Sequence, residues 1–175
     1  FDYILSQVSI QKKNIQLLGC ACLWVASKLY DSYPPPVNEL IELCKSQYQI
    51  SDFKEYERFI LNTLDFHLQA PHQKFFLKRF IDALELKPAF IEISNFICEA
   101  SLFAYELNQF NPSTVAAAIV VIVISITNSY LPAQKLKLYA HLDNYHQVEE
   151  CIPSLVFSAK EVFDSKKGSI YQKYM

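Results

Sequence analysis

Apolar residues return at helical intervals along nearly the whole chain, and in two places they close up until almost no polar face remains. Ile15, Leu18, Cys22, Val25, Ala26 and Leu29 lie three or four apart, while Leu17, Trp24 and small residues fill the other sides. This predicts a helix over residues 13–30 that is buried on most faces. Val115 to Ile126 is a second such run of 12 residues. A membrane span needs about 20, so the run predicts a central core helix.

Between these hubs the pattern is amphipathic. Tyr33-Pro34-Pro35-Pro36 stops the first helix, because proline lacks a donor and restricts the residue before it. Val37, Leu40, Ile41 and Cys44 mark a short helix. Ser51 is the expected cap of the next, which runs through Phe53, Tyr56, Ile60, Leu61 and Leu64 and ends near Phe66. Ala70-Pro71 is the expected boundary. A fresh helix follows through Phe75, Phe76, Phe80, Ile81 and Leu84, and Pro88 opens another that is expected to reach about Leu107. Asn111-Pro112-Ser113 caps the second hub, with Pro112 suited to a first turn. Pro132 starts a helix through Leu136, Leu138 and Leu142. Ile152, Leu155, Val156, Ala159 and Phe163 mark the last one, released at Lys166-Lys167-Gly168. The result is two sets of helices, each around one nearly all-apolar member.

Composition strengthens the helical reading. The 175 residues are 51% apolar and 19% charged, a globular balance, and only Gly19 and Gly168 could supply the positive φ that hairpins use. A net charge of -2 lacks the basic excess behind non-specific nucleic-acid affinity. Five cysteines make an odd set, and Cys20 and Cys22 point to different helix faces, so reduced, buried thiols in an intracellular protein are expected. The chain starts at Phe1 rather than methionine and carries no recognisable signal peptide, so upstream sequence is expected.

Three separated motifs then agree in order and spacing: Leu17-Leu18-Gly19 through Ala26-Ser27-Lys28, Tyr33-Pro34-Pro35, and Tyr56-Glu57-Arg58 through Leu64-Asp65-Phe66-His67-Leu68. Together they resemble the first cyclin box. Glu99-Ala100-Ser101-Leu102 and Pro112-Ser113 to Ala118 are similar to the second box of A- and B-type cyclins, and Ile170-Tyr171-Gln172-Lys173-Tyr174 to their C-terminal segment. The resemblance implies an all-α fold of two consecutive five-helix cyclin boxes, the first truncated at its N-terminus. Residues 1–69 would be the N-terminal box without its first helix, 70–167 the C-terminal box and 168–175 a tail. Phe1 to Gln7 would be the end of the second helix.

The same resemblance implies a regulatory, non-catalytic subunit that activates a cyclin-dependent Ser/Thr kinase in cell-cycle control, acting in nucleus and cytoplasm. Lys28 and Glu57 match the family's paired kinase-binding lysine and glutamate, and Leu29, Leu61, Phe66 and Leu68 match the apolar centre of that interface. Ile15 and Gln16 match what remains of a substrate-docking patch, so kinase substrates or inhibitors are further possible partners. Asp2 and Leu17 match structural positions, and the arginine that pairs with the aspartate would lie in the absent first helix. Read without the motifs, Lys28 is a helix-end lysine favoured by the dipole and Glu57 a surface carboxylate. Leu61 and Phe66 read equally well as core. The family follows its lysine with an aromatic and two acids, whereas this chain has Leu29-Tyr30-Asp31, which leaves the choice of kinase open.

Enzyme readings find little support. His67 and His72, like His141 and His146, are five apart and cannot line one helix face as zinc ligands do. There is no glycine-rich phosphate loop, nucleophile elbow or paired-cysteine metal motif. No cofactor, metal, nucleic-acid or membrane partner is expected. Lys12-Lys13 and Lys166-Lys167 read as solvated turns. A cyclin-fold transcription factor resembling general factor IIB would need a basic DNA-facing surface, and a cyclin-like scaffold without kinase binding would have no use for the Lys28 and Glu57 motifs.

Overall fold

A computed structural model describes residues 1–69, 71–127, 136, 145–166 and 168–174. The described elements are helices joined by turns, and contacts divide the chain into two compact units, Phe1–Ala70 and Pro71–Met175.

The first unit comprises α1 (Asp2–Gln7), α2 (Ile15–Tyr30), α3 (Val37–Leu43) and α4 (Ile50–Thr63). α2 is the hub: it packs on α3 and α4, with α1 against α4. Leu17, Leu18, Ala21, Trp24 and Val25 of α2 meet Ile4, Leu40, Cys44, Phe53 and Ile60 in one core, where each fully buried Leu, Ile or Phe contributes about 1.5–3 kcal/mol. α2 ends at Tyr30, three residues before the first restricted by proline. Ser51 is not the cap of α4. The helix begins one residue earlier, and the Gln49 amide donates to Asp52 Oδ2 at 2.8 Å. The acidic side chain three residues on thus ties down the entry. α4 closes in a turn where Asp65 and Phe66 take left-handed φ of 47° and 58° and the Phe66 amide returns to the Leu61 carbonyl at 2.9 Å.

The second unit contains α5 (Gln73–Ala83), α6 (Pro88–Ala100), α7 (Pro112–Ile126), α8 (His146–Ser165) and α9 (Ser169–Tyr174). α7 is its hub, packed on α5, α6 and α8. Every residue from Thr114 to Val120 is buried, as are Ile122, Val123 and Ile124. Pro112 occupies its first turn. α6 is shorter than the pattern predicts. It stops at Ala100 and gives way to 3-10 turns at Ser101–Phe103 and Tyr105–Gln109. Ser101 is the cause: its hydroxyl donates back to the Cys98 carbonyl at 2.7 Å, competing with the helical ladder. α8 starts at His146, upstream of the expected residues, and carries Pro153 inside it. The helix expected from Pro132 lies outside the described residues except Leu136, which is fully buried in this core. Leu138, Leu142, His141 and Lys167 lie outside them too.

Candidate kinase-facing site

The C-terminal end of α2 and the middle of α4 supply the two charged candidates. Lys28 Nζ lies 2.6 Å from Glu57 Oε1, joining residues from helices separated by the whole of α3. Below the ammonium is Trp24, one turn earlier on α2, with its ring centroid 3.2 Å from Nζ. The indole is itself fixed by an edge-to-face contact with Phe53 at 6.1 Å. Lys28 is thereby aimed rather than free to sweep through solvent. An ion–ring contact at such a half-exposed position contributes about 0.5–1 kcal/mol, and the ion pair a similar or smaller amount.

Hydrogen-bond capacity remains on both groups. A lysine ammonium has three donors, of which one serves Glu57 and one faces the indole. Glu57 Oε2 has no partner among the described residues, so the carboxylate can accept again. With side-chain exposures of 37% and 23%, the pair lies at the surface with unused donor and acceptor capacity.

The apolar candidates divide. Leu29 and Leu68 line one groove together with Val25, Ile60 and Leu64. Leu61 and Leu68 are half-buried and pack against the first core. Phe66 is 67% exposed, so the core reading does not apply to it; the left-handed turn holds it outward. Ile15 and Gln16 are both exposed at the start of α2, about 20 Å along the helix axis from Lys28 at 1.5 Å per residue. They belong to a different surface from the Lys28–Glu57 pair. Leu17 is buried, whereas Asp2 is exposed and has no ion pair among the described residues.

Trp24 is the residue that pattern reading undervalued. An indole in an apolar helix reads as core, yet the four-residue step from Trp24 to Lys28 is the spacing at which helical side chains meet. Among the described residues no three or more His, Cys, Asp or Glu side chains come together as a metal-binding group. His72 Nδ1 instead accepts from the Phe75 amide at 3.2 Å and caps α5. No described helix is long and apolar enough to cross a membrane.

The second unit holds a separate polar cluster. Glu99 Oε1 accepts from Lys173 Nζ at 2.6 Å and from the Tyr174 hydroxyl at 2.9 Å, with Lys74 Nζ at 3.6 Å. Phe96 meets the Tyr174 ring at 5.8 Å. Burial raises the Glu99 carboxyl, but these hydrogen bonds and the two lysine charges outweigh it and hold the group below its ordinary value. α9, which the sequence set apart as a tail, is clasped onto α6.

Comparison with known proteins agrees with this architecture. The family model for the cyclin N-terminal domain matches residues 1–69 and that for the cyclin C-terminal domain residues 71–175. The G2/mitotic-specific cyclin-B3 of Mus musculus is 33% identical over 127 residues, covering 73% of this chain and 9% of that protein. Cyclin-B2-2 of Oryza sativa subsp. indica is 30% identical over 173 residues, 99% of this chain and 41% of the relative. G2/mitotic-specific cyclin-A of Hydra viridissima is 27% identical over 176 residues, 99% of this chain and 42% of the relative. The chain therefore spans less than half the length of these relatives. A viral cyclin from herpesvirus saimiri, known from its X-ray structure, superposes with a TM-score of 0.71 at 21% identity, covering 90% of this chain and 71% of the viral one. With two helical units built on apolar hubs, each matched over its length by one of the two cyclin models, this chain belongs to the cyclin family.

Proposed function

We propose that this chain is the activating subunit of a cyclin-dependent Ser/Thr kinase in cell-cycle control, and that Lys28 and Glu57 engage the kinase's regulatory helix. The observation that carries the reading is the aimed, half-exposed Lys28–Glu57 pair with spare donors and an unused carboxylate oxygen. An active kinase needs its regulatory helix seated so that a glutamate on it reaches the β3 lysine. An activator shifts that equilibrium only by binding the seated state better. Lys28 suits backbone carbonyls at a helix end and Glu57 suits backbone amides, while Leu29, Leu61, Phe66 and Leu68 offer the apolar surface that carries most binding energy in an interface. The chain itself performs no chemistry in this reading. Ile15 and Gln16 would contribute to docking of substrates or inhibitors, and the complex would act in nucleus and cytoplasm.

Calorimetry with a cyclin-dependent kinase tests the reading. Lys28→Ala and Glu57→Ala should each weaken binding by about 2–5 kcal/mol, roughly 30- to several-thousand-fold, since each leaves a desolvated partner unpaired. The double variant should lose much less than the sum of the two. Wild-type affinity in both single variants would sink the assignment.

A further inference from the structure

We infer that Cys20 and Cys44 form an oxidisable dithiol, a modification site at which a peroxide drives a reversible disulfide that staples α3 to α2. Cys44 Sγ lies 3.3 Å from Cys20 Sγ, although 24 positions separate the residues. Among the described residues no other pair of sulfurs is in hydrogen-bond contact. A disulfide needs about 2.05 Å between sulfurs, so closure asks for little more than 1 Å of combined side-chain motion.

The two thiols are unequal in access, and that inequality sets the order of events. Cys20 is half-buried on the hub helix, within reach of a small oxidant. Cys44 is fully buried at the C-terminal cap of α3, where its amide donates to the Leu40 carbonyl at 3.1 Å. Burial, followed by the hydrogen bond and charge of Cys20, pushes the Cys44 thiol up to about 11, so it is a poor first nucleophile. The peroxide therefore meets Cys20 first. The Cys20 sulfur attacks one peroxide oxygen, the O–O bond breaks, and a sulfenic acid and one water result. Cys44 sulfur then attacks Cys20 sulfur and expels the hydroxyl, which leaves as a second water with the Cys44 proton. Two thiols are oxidised by two electrons, one peroxide is reduced, and a dithiol reductant reverses the step.

The neighbourhood favours the bridge over further oxidation. Cys44 already occupies the position from which a resolving thiol must act, and the turn after it is fixed by amides of Lys45 and Ser46 returning to the Glu42 and Ile41 carbonyls at 2.8 and 2.9 Å. Cys22 provides an internal contrast: half-buried on the same helix, it faces elsewhere and lines the groove with Leu29 and Leu68. It has the access without the partner. The staple uses none of Trp24, Lys28 or Glu57, so it locks the first unit without occupying the kinase-facing pair.

The test treats the full chain with stoichiometric hydrogen peroxide, blocks free thiols, and maps peptides by mass spectrometry without reduction. Trypsin places Cys20 and Cys22 in the peptide Asn14–Lys28 and Cys44 in Leu29–Lys45. These two peptides should appear joined, lighter by two hydrogens, and separate again on adding a dithiol. The Cys22→Ser variant should give the same cross-link, and Cys20→Ser should abolish it. Cys44→Ala should leave Cys20 as a sulfenic acid that a dimedone probe captures. Oxidised wild type should melt at a higher temperature than reduced, and oxidised Cys20→Ser should not. Accumulation of a Cys20 sulfinic acid with Cys44 unmodified, or loss of the cross-link in Cys22→Ser, would overturn the proposal.

Discussion

Lys173 and Glu99 are 74 residues apart in sequence and 2.6 Å apart in space, so α9 is tied to α6 by a single carboxylate oxygen. A helix of six residues cannot persist in water by itself. Its order comes from this tie, the Tyr174 hydroxyl, the Phe96 ring and an edge-to-face contact of Tyr171 with Phe163 of α8 at 6.2 Å.

Glu99→Ala should therefore release α9 while the rest of the second unit stays folded. The expected cost to global stability is small, because Lys173 is largely exposed and water screens it. Limited trypsin digestion should cut at Lys173 much faster in the variant than in wild type. Equal cutting rates would show that the carboxylate does not hold the segment.

The clasp should weaken in acid. Glu99 titrates below its ordinary 4.5 in the folded chain, so its contribution is complete above that value and disappears as pH falls through the depressed one. Lys173 is raised from 10.5, mainly by its hydrogen bond to Glu99, so its contribution is complete below that value and lost as pH climbs through the raised one. Nuclear magnetic resonance signals of Lys173 and Tyr174 should hold steady across the neutral range and move to coil positions together with acid titration of Glu99.

Ala118→Asp should unfold the second unit. Ala118 has no exposed surface and lies in a helix buried from Thr114 to Ile124 with only Val121 half-buried, so the new carboxylate would find neither water nor cation, at a cost of several kcal/mol. An unchanged thermal melt would contradict the burial of α7.

Ser94→Ala should be tolerated or mildly stabilising. The Ser94 hydroxyl is fully buried and finds no hydrogen-bond partner among the described residues, so its removal ends a desolvation penalty of about 1–3 kcal/mol while leaving only a small gap. A melting temperature well below wild type would mean that the hydroxyl is paired.

The α7 hub was legible in the sequence because a helix apolar on every side has nowhere to sit but the centre. α2 is also the hub of its unit, but it is not buried on most faces: Leu17, Leu18, Ala21, Trp24 and Val25 enter the core, whereas Ile15, Leu23, Ala26, Leu29 and Tyr30 stay exposed. The meeting of Lys28 with Glu57 was legible only through the cyclin motifs. No local rule links positions 29 apart, and by composition alone each is a surface charge. What sequence missed at the helix ends is a competition between a side chain and the backbone. Ser101 ends α6 early by bonding Cys98, helped by Gln73 Nε2 on its hydroxyl at 2.7 Å, and Asp52 moves the start of α4 to Ile50. The Glu99 clasp escaped because its partners lie 74 residues apart and carry no periodic signal.

Trp24 is the chain's single tryptophan, and it lies directly under the Lys28 ammonium. The chain thus carries one indole, placed at the charged pair. Excitation at the red edge, where its 11 tyrosines do not absorb, selects that ring alone, and a positive charge against it shifts and quenches indole fluorescence. Any event that lifts Lys28 away, whether a bound helix drawing the lysine outward or a Glu57 substitution letting it swing, is converted into a colour and intensity change without a label. The same ring that aims the lysine makes its departure visible.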